Sequence, residues 1–246
     1  MVHIFQKKRF LVDYLSNFVD MHNHILPGID DGAANPEEAI NLLKGFGELG
    51  ISRFIATPHI MTNLYPNTRA TIQASLQVLE NALLEEGIKN ISIEVAAEHM
   101  IDDDFIGKIS NAEELSIRDN YLLVEMSYLQ PPLNFQEAII KVASKGYYPV
   151  LAHPERYMFL HRRLHKYKQY KERGILLQLN LLSLGDYYGK EVQKIAFKLL
   201  DDGLIDFIAS DIHNERQLDT LKELRIPERK LRQVLPIIGS TIETFY

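Results

Sequence analysis

Short apolar runs in this chain repeatedly stop at a residue able to bind a metal ion, and stretches with helical spacing separate them. Phe18 to Ile25 carries His22 and His24, and Ile51 to Thr57 is stopped by Pro58 with His59 just beyond. Ile91 to Ala97 leads to Glu98, Tyr121 to Val124 to Glu125, Tyr148 to Ala152 to His153, and Ile205 to Ala209 to Asp211 and His213. Ile175 to Asn180 adds a further strand. Asn35-Pro36-Glu37-Glu38 reads as a helix start, with Asn as cap, Pro in the first position and acids facing the positive dipole end. That helix ends near Gly50. Arg69 to Glu86 is amphipathic, with Ile72, Leu76, Leu79 and Leu83 on one face, and Asn134 to Lys145 and Lys190 to Asp201 are further helices. Alternation of this kind implies parallel strands joined by crossover helices, hence an α/β sheet or barrel. A length of 246 residues with 46% hydrophobic content suits one β/α barrel. The expected organisation is a single domain over residues 1–246. Residues 1–17 form an N-terminal extension, either a short helix packed outside the core or a docking arm.

The stretch Asp20 to Gly32, DMHNHILPGIDDG, concentrates the chemistry. Histidines at i and i+2 of an extended strand project to the same side, because side chains alternate faces. Pro27-Gly28 then breaks the strand, and Asp30-Asp31-Gly32 returns carboxylates through a turn that Gly permits. Divalent ions of hard or borderline character take this mixture of imidazole and carboxylate. A His-x-His pair alone also arises by chance, so the weight rests on what surrounds it.

The chain contains no cysteine, which removes disulfides, thiolate zinc sites and cysteine-nucleophile catalysis together. Its net charge is −6, with Lys and Arg scattered along the sequence, so nucleic acid is not an expected partner. No apolar stretch has the length of a membrane span or a signal sequence, and the expectation is a soluble, cytoplasmic protein.

The strand ends together supply His22, His24, Asp31, His59, Glu98, Glu125, His153, Asp211 and His213. That is more than one ion needs, and a cluster of two or three ions sharing a bridging carboxylate would use them all. Any one of them could be a satisfied core residue. Burying all of them without metal or pairing would cost several kcal/mol each. Multinuclear sites acidify water and hold phosphate between cations.

The run DMHNHILPGIDDG, TPH at Thr57 to His59, Glu98 after EVAA, HPERY at His153 to Tyr157 and SDIHN at Ser210 to Asn214 resemble the polymerase-and-histidinol-phosphatase superfamily. More narrowly, they resemble its bacterial metal-dependent protein-tyrosine phosphatases, encoded with capsular or exopolysaccharide assembly systems. The resemblance implies a distorted, TIM-barrel-like β/α barrel of seven strands. It implies three divalent ions, most often manganese or iron, with magnesium, zinc or cobalt as further possibilities. The first ion would take His22, His24, Glu125 and Asp211; the second Glu98, a bridging Glu125 and His153; the third Asp31, His59 and His213. Arg156 would hold phosphate through its planar fork. The family's second phosphate-contacting arginine has its nearest counterpart in Arg216, which reads equally as an exposed residue at a helix start. Tyr65, Tyr128 and Tyr157 are candidates to line the substrate mouth.

The implied activity is hydrolysis of phosphotyrosine on a protein, with the tyrosine-rich tail of a bacterial tyrosine kinase governing polysaccharide export as the partner. Two other readings share the residues: a small-molecule phosphatase of the histidinol-phosphate type, and a non-catalytic metal-binding scaffold. Exonuclease action is disfavoured by the acidic balance.

Overall fold

Every apolar run becomes a strand in the computed structural model, which describes residues 7–118 and 120–246. In chain order the strands are β1 (Lys8–Phe10), β2 (Val19–Asp20), β3 (Arg53–Ala56), β4 (His59–Ile60), β5 (Ser92–Val95), β6 (Glu98–Met100), β7 (Tyr121–Glu125), β8 (Tyr148–Ala152), β9 (Leu176–Asn180), β10 (Phe207–Ala209) and β11 (Arg225–Pro227). The helices are α1 (Pro36–Glu48), α2 (Arg69–Glu85), α3 (Phe105–Ser110), α4 (Phe135–Ser144), α5 (His165–Glu172), α6 (Lys190–Asp201), α7 (Glu215–Lys222) and α8 (Glu228–Phe245). The predicted signals set several of these bounds. Asn35 accepts a hydrogen bond from the Glu38 amide and Pro36 opens α1; Thr68 and Thr71, not singled out in the sequence, cap α2 reciprocally. The C-terminal helix α8, which carries Pro236 in its interior, was not assigned from the sequence. Burial of Leu231, Val234, Ile238 and Phe245 holds it together.

The parallel strands do not pair as one closed seven-stranded ladder. They divide into a six-stranded sheet, β10-β9-β8-β7-β6-β4, and a three-stranded sheet, β2-β3-β5. The division falls where β3 gives way to β4 at Thr57-Pro58 and β5 to β6 at Ala96-Ala97. Pro58 has no N–H for the ladder. Register is kept across the gap, with Ala56 opposite Val95 and His59 opposite Glu98.

Over residues 7–17 the N-terminal extension contributes a strand and a short 3-10 helix, Val12–Tyr14. β1 pairs antiparallel with β11, and Leu11 and Leu15 are fully buried. Residues 1–6 lie outside the described part of the chain.

His99 on β6 is buried. Its Nδ1 lies 3.1 Å from the Leu123 carbonyl oxygen, and its Nε2 accepts the Leu115 N–H at 3.2 Å. Both bonds need a neutral ring, and burial pushes its pKa from 6.5 down to about 4. A depressed folded-state pKa contributes stability that is complete above the unfolded value and is lost as pH falls through the folded one. His99→Gln should therefore be less stable than the parent near neutral pH, with the gap in urea midpoints narrowing as pH falls from about 6.5 towards about 4. A gap independent of pH contradicts this account.

Candidate metal centre

The ligand-type residues meet where the strands end, and the backbone there leaves regular geometry. β2 is only two residues long, so His22 and His24 lie past its end rather than within an extended strand. Backbone bonds to the segment after β10 hold them instead: the Asp211 N–H donates to the His22 carbonyl (2.8 Å) and the His24 N–H to the Ile212 carbonyl (3.0 Å). His153, after β8, and Asp211, after β10, have φ of 34° and 52°. Residues other than Gly seldom enter that left-handed region, and outliers of this kind concentrate at functional positions.

All the ligand residues expected from the sequence converge. His24, Asp31, His59 and His213 form one group; His22, His24 and Asp211 a second; His22, Glu98 and His153 a third; His59, Glu98 and Glu125 a fourth. Within each group one ligand atom per residue lies within 4.8 Å of the others. The grouping differs from the one implied by resemblance. Glu98 Oε2 is 3.3 Å from His22 Nε2, 3.6 Å from His24 Nε2 and 3.0 Å from His59 Nδ1, while Oε1 is 2.9 Å from His153 Nε2. Glu125 reaches His59 at 2.8 Å but does not join the His22, His24 and Asp211 group. Glu98 is therefore the carboxylate with the most imidazoles within reach.

Hydrogen bonds outside this ring aim the histidines. Gln178 Oε1 faces His22 Nδ1 at 2.9 Å, and the Gln178 amide nitrogen is fixed by the Leu179 carbonyl. Asp30 Oδ2 faces His24 Nδ1 at 2.8 Å and also accepts the His59 N–H. Each acceptor requires a ring N–H, so both Nε2 lone pairs turn into the cluster. Asn180 and Arg156 both donate to Asp211 Oδ2, at 2.8 and 2.7 Å, which leaves Oδ1 3.3 Å from both histidines.

The donor set fits divalent cations. His59 Nδ1, Glu98 Oε2 and Glu125 Oε1 are buried and close, yet their angles make no hydrogen bond, and His153 Nδ1 is also without one. An unsatisfied buried polar group costs about 1–3 kcal/mol, which a cation taking those lone pairs removes. Charge points the same way. Burial alone would lower the pKa values of His22, His24 and His59, but the surrounding carboxylates push all three up, His24 to about 10 under Asp30. Burial together with the charge of Glu98 pushes Glu125 up to about 7. The pocket draws positive charge inward.

Arg156 abuts this cluster through Asp211, and its guanidinium lies over the rings of Tyr128 (4.8 Å) and Tyr188 (4.2 Å). It does not face outward towards Glu155, whose buried carboxylate accepts the Asn180 N–H. Arg216, on the first turn of α7, borders a cleft of about 470 Å³ that His213 also lines. Tyr65 stacks on His59 with ring centroids 5.6 Å apart, and Tyr128 Oη is 3.4 Å from His153 Nε2. Tyr157 belongs to the core instead, its hydroxyl accepting the Met126 N–H. The sequence reading assigned no role to Gln178, Asn180 or Tyr188, and it returned the Asp30 carboxylate towards the histidines without giving it the task of orienting His24. Two amides in the buried strand LLQLN were the available signal, since buried amides need partners.

A family model described as "Capsular polysaccharide synthesis, CpsB/CapC" matches residues 18–227. The tyrosine-protein phosphatase YwqE of Bacillus subtilis is 30% identical over 221 residues, covering 89% of this chain and 87% of the relative. CapC of Staphylococcus aureus is 32% identical over 217 residues, covering 87% and 84%. A solved structure, described with YwqE and CpsB of Streptococcus pneumoniae as "unique metal-dependent tyrosine phosphatases", superposes with TM-score 0.76 at 30% identity, covering 84% of each chain.

Gly32 gives a test of the site that does not touch a ligand. A Cβ there would collide with the carbonyl oxygen and Cβ of His24. Gly32→Ala should keep the helical circular dichroism of the parent but bind fewer equivalents of Mn²⁺ by elemental analysis. Full metal content would show that His24 does not depend on that close approach.

Proposed function

Because the chain belongs to the capsular polysaccharide synthesis CpsB/CapC family, we propose that it is a metal-dependent phosphatase acting on phosphotyrosine in a protein. The observation that carries the reading is the convergence of buried imidazoles and carboxylates with Arg156 at their edge, in a chain that has no cysteine to act as nucleophile. The proposal extends to three divalent ions, manganese or iron, and to a cytoplasmic protein acting on the tyrosine-rich tail of a bacterial tyrosine kinase. The fold is taken in the same proposal as one domain, a distorted barrel of seven staves. β3 with β4 and β5 with β6 count as single interrupted staves, and the backbone bonds between the His22 and Asp211 segments support a seam. Among the described residues no helix is long and apolar enough to cross a membrane.

The proposed ligand sets are His22, His24 and Asp211; Glu98 with His22 and His153; and Asp31, His59 and His213, with Glu98 shared and Glu125 beside it, a partition supported by the four overlapping groups these residues form. Divalent ions held there supply acidified water and neutralise phosphoryl charge. The protein's own contribution is orientation. Gln178 and Asp30 hold the imidazoles in one tautomer, and Asn180 and Arg156 fix which oxygen of Asp211 faces them. Arg156 keeps further N–H groups for phosphoryl oxygens, and its fork can pair two of them. Tyr128 and Tyr188 restrain the guanidinium, so less freedom is lost when phosphate arrives.

Chelation should abolish turnover of a phosphotyrosyl peptide, Mn²⁺ should restore it, and thiol alkylation should leave it unchanged. Full activity after verified metal removal rejects the reading. Arg156→Lys should keep its metal and lose catalytic efficiency, and Arg156→Ala should lose more, about 2–4 kcal/mol or roughly thirtyfold to a thousandfold. Near-normal turnover in both variants at full metal content removes Arg156 from phosphate binding.

A further inference from the structure

A groove of about 980 Å³ lies outside the metal centre, between the segment that follows Arg156 and helix α6. One wall begins at Met158, two residues beyond Arg156, and is highly exposed there. The other begins at Lys190, two residues beyond Tyr188, whose ring lies under the Arg156 guanidinium. Two residues of chain span at most about 7 Å, so the backbone at the start of each wall lies within that distance of Arg156 or of Tyr188.

Its lining is basic. Arg162, Lys190, Lys194, Lys198 and Lys230 face only Glu191 and Asp201. Lys230 is paired with Asp201 at 2.7 Å, Lys198 with Asp202 at 2.6 Å, and Lys194 loosely with Glu191 at 3.7 Å. Arg162 and Lys190 form no ion pair among the described residues. From Arg162 to Arg173 the chain holds six Lys and Arg and one acid, while its net charge is −6. Of these Lys171 is engaged by Asp206, while Arg163 and Lys168 are exposed. The cations come from α5, α6, α8 and the loop before α5, which is why they read as scattered along the sequence.

We infer that this groove holds an acidic segment of the substrate protein flanking the phosphotyrosine. The inference rests on the phosphatase reading and deepens it. Positive charge set along a concave path whose walls start two residues from Arg156 and from Tyr188 fits an extended anionic peptide. A flat bilayer surface would not enter it. The energetic effect belongs to encounter and KM rather than to the chemical step, because the groove residues lie outside the metal cluster.

The test uses the metal-loaded enzyme with three substrates: p-nitrophenyl phosphate, a phosphotyrosyl peptide with neutral flanks, and the same peptide with glutamate flanks. The parent should favour the acidic peptide at low salt and lose the preference as salt rises. Arg162→Glu with Lys190→Glu should raise KM for the acidic peptide about three- to tenfold, consistent with two exposed charges. The other two substrates should be unaffected, and the Arg162→Gln, Lys190→Gln pair should fall between. Both positions are exposed, and Glu at the start of α6 favours the helix dipole, so folding should be retained. An unchanged ratio of acidic to neutral peptide in the Glu variant overturns the inference. So does a Glu variant whose only loss is sedimentation with phosphatidylserine vesicles, which would mark a membrane-facing surface. Absence of turnover on all three substrates by the parent overturns the phosphatase reading, and this inference with it.

Discussion

The structure depends on the electrostatic demand made by carboxylates that are buried together. Glu98, Glu125 and Asp211 are almost completely removed from solvent, and Glu98 has ligand atoms of four histidines within reach. Such a group cannot stay ionised in a dry site without cations or hydrogen bonds. Much of the surrounding fold serves that need. The short strands stop early, the left-handed residues His153 and Asp211 turn side chains inward, and Asp20 receives both the amide and the hydroxyl of Ser210 to join the two chain segments that bear the ligands.

The ring outside the cluster converts composition into direction. Nine ligand-type residues could meet in many ways, but Gln178, Asp30 and Asn180 leave few orientations open. The same economy of contacts places Arg156 in two roles, as a clamp on Asp211 and as a half-buried guanidinium at the edge of the cluster between two tyrosines. Its backbone lies two residues from Met158, where one wall of the basic groove begins.

Most of the site was legible in the sequence because its residues stand at the ends of apolar runs, where parallel strands present their carboxyl termini. His59 after Pro58 and Glu125 after YLLV illustrate that regularity. Which glutamate is central was not legible: Glu98 and Glu125 are both glutamates at strand ends, and only the register that places His59 opposite Glu98 makes the first central. Gln178 and Asn180 were read as strand residues, since their function lies in hydrogen bonds to chain segments remote in sequence. The division of the sheet at Pro58, the pairing of β1 with β11 and the long helix α8 also rest on tertiary contacts that periodicity does not encode.

The most direct measurement is the anomalous difference density of crystals grown with Mn²⁺ and collected at the manganese edge. Sharing of Glu98 between ions predicts more than one peak inside the cluster, with the two oxygens of Glu98 bound to different ions and Nε2 of His22 and His24 directed at one of them. A single peak, or peaks that Glu98 does not touch, would contradict it.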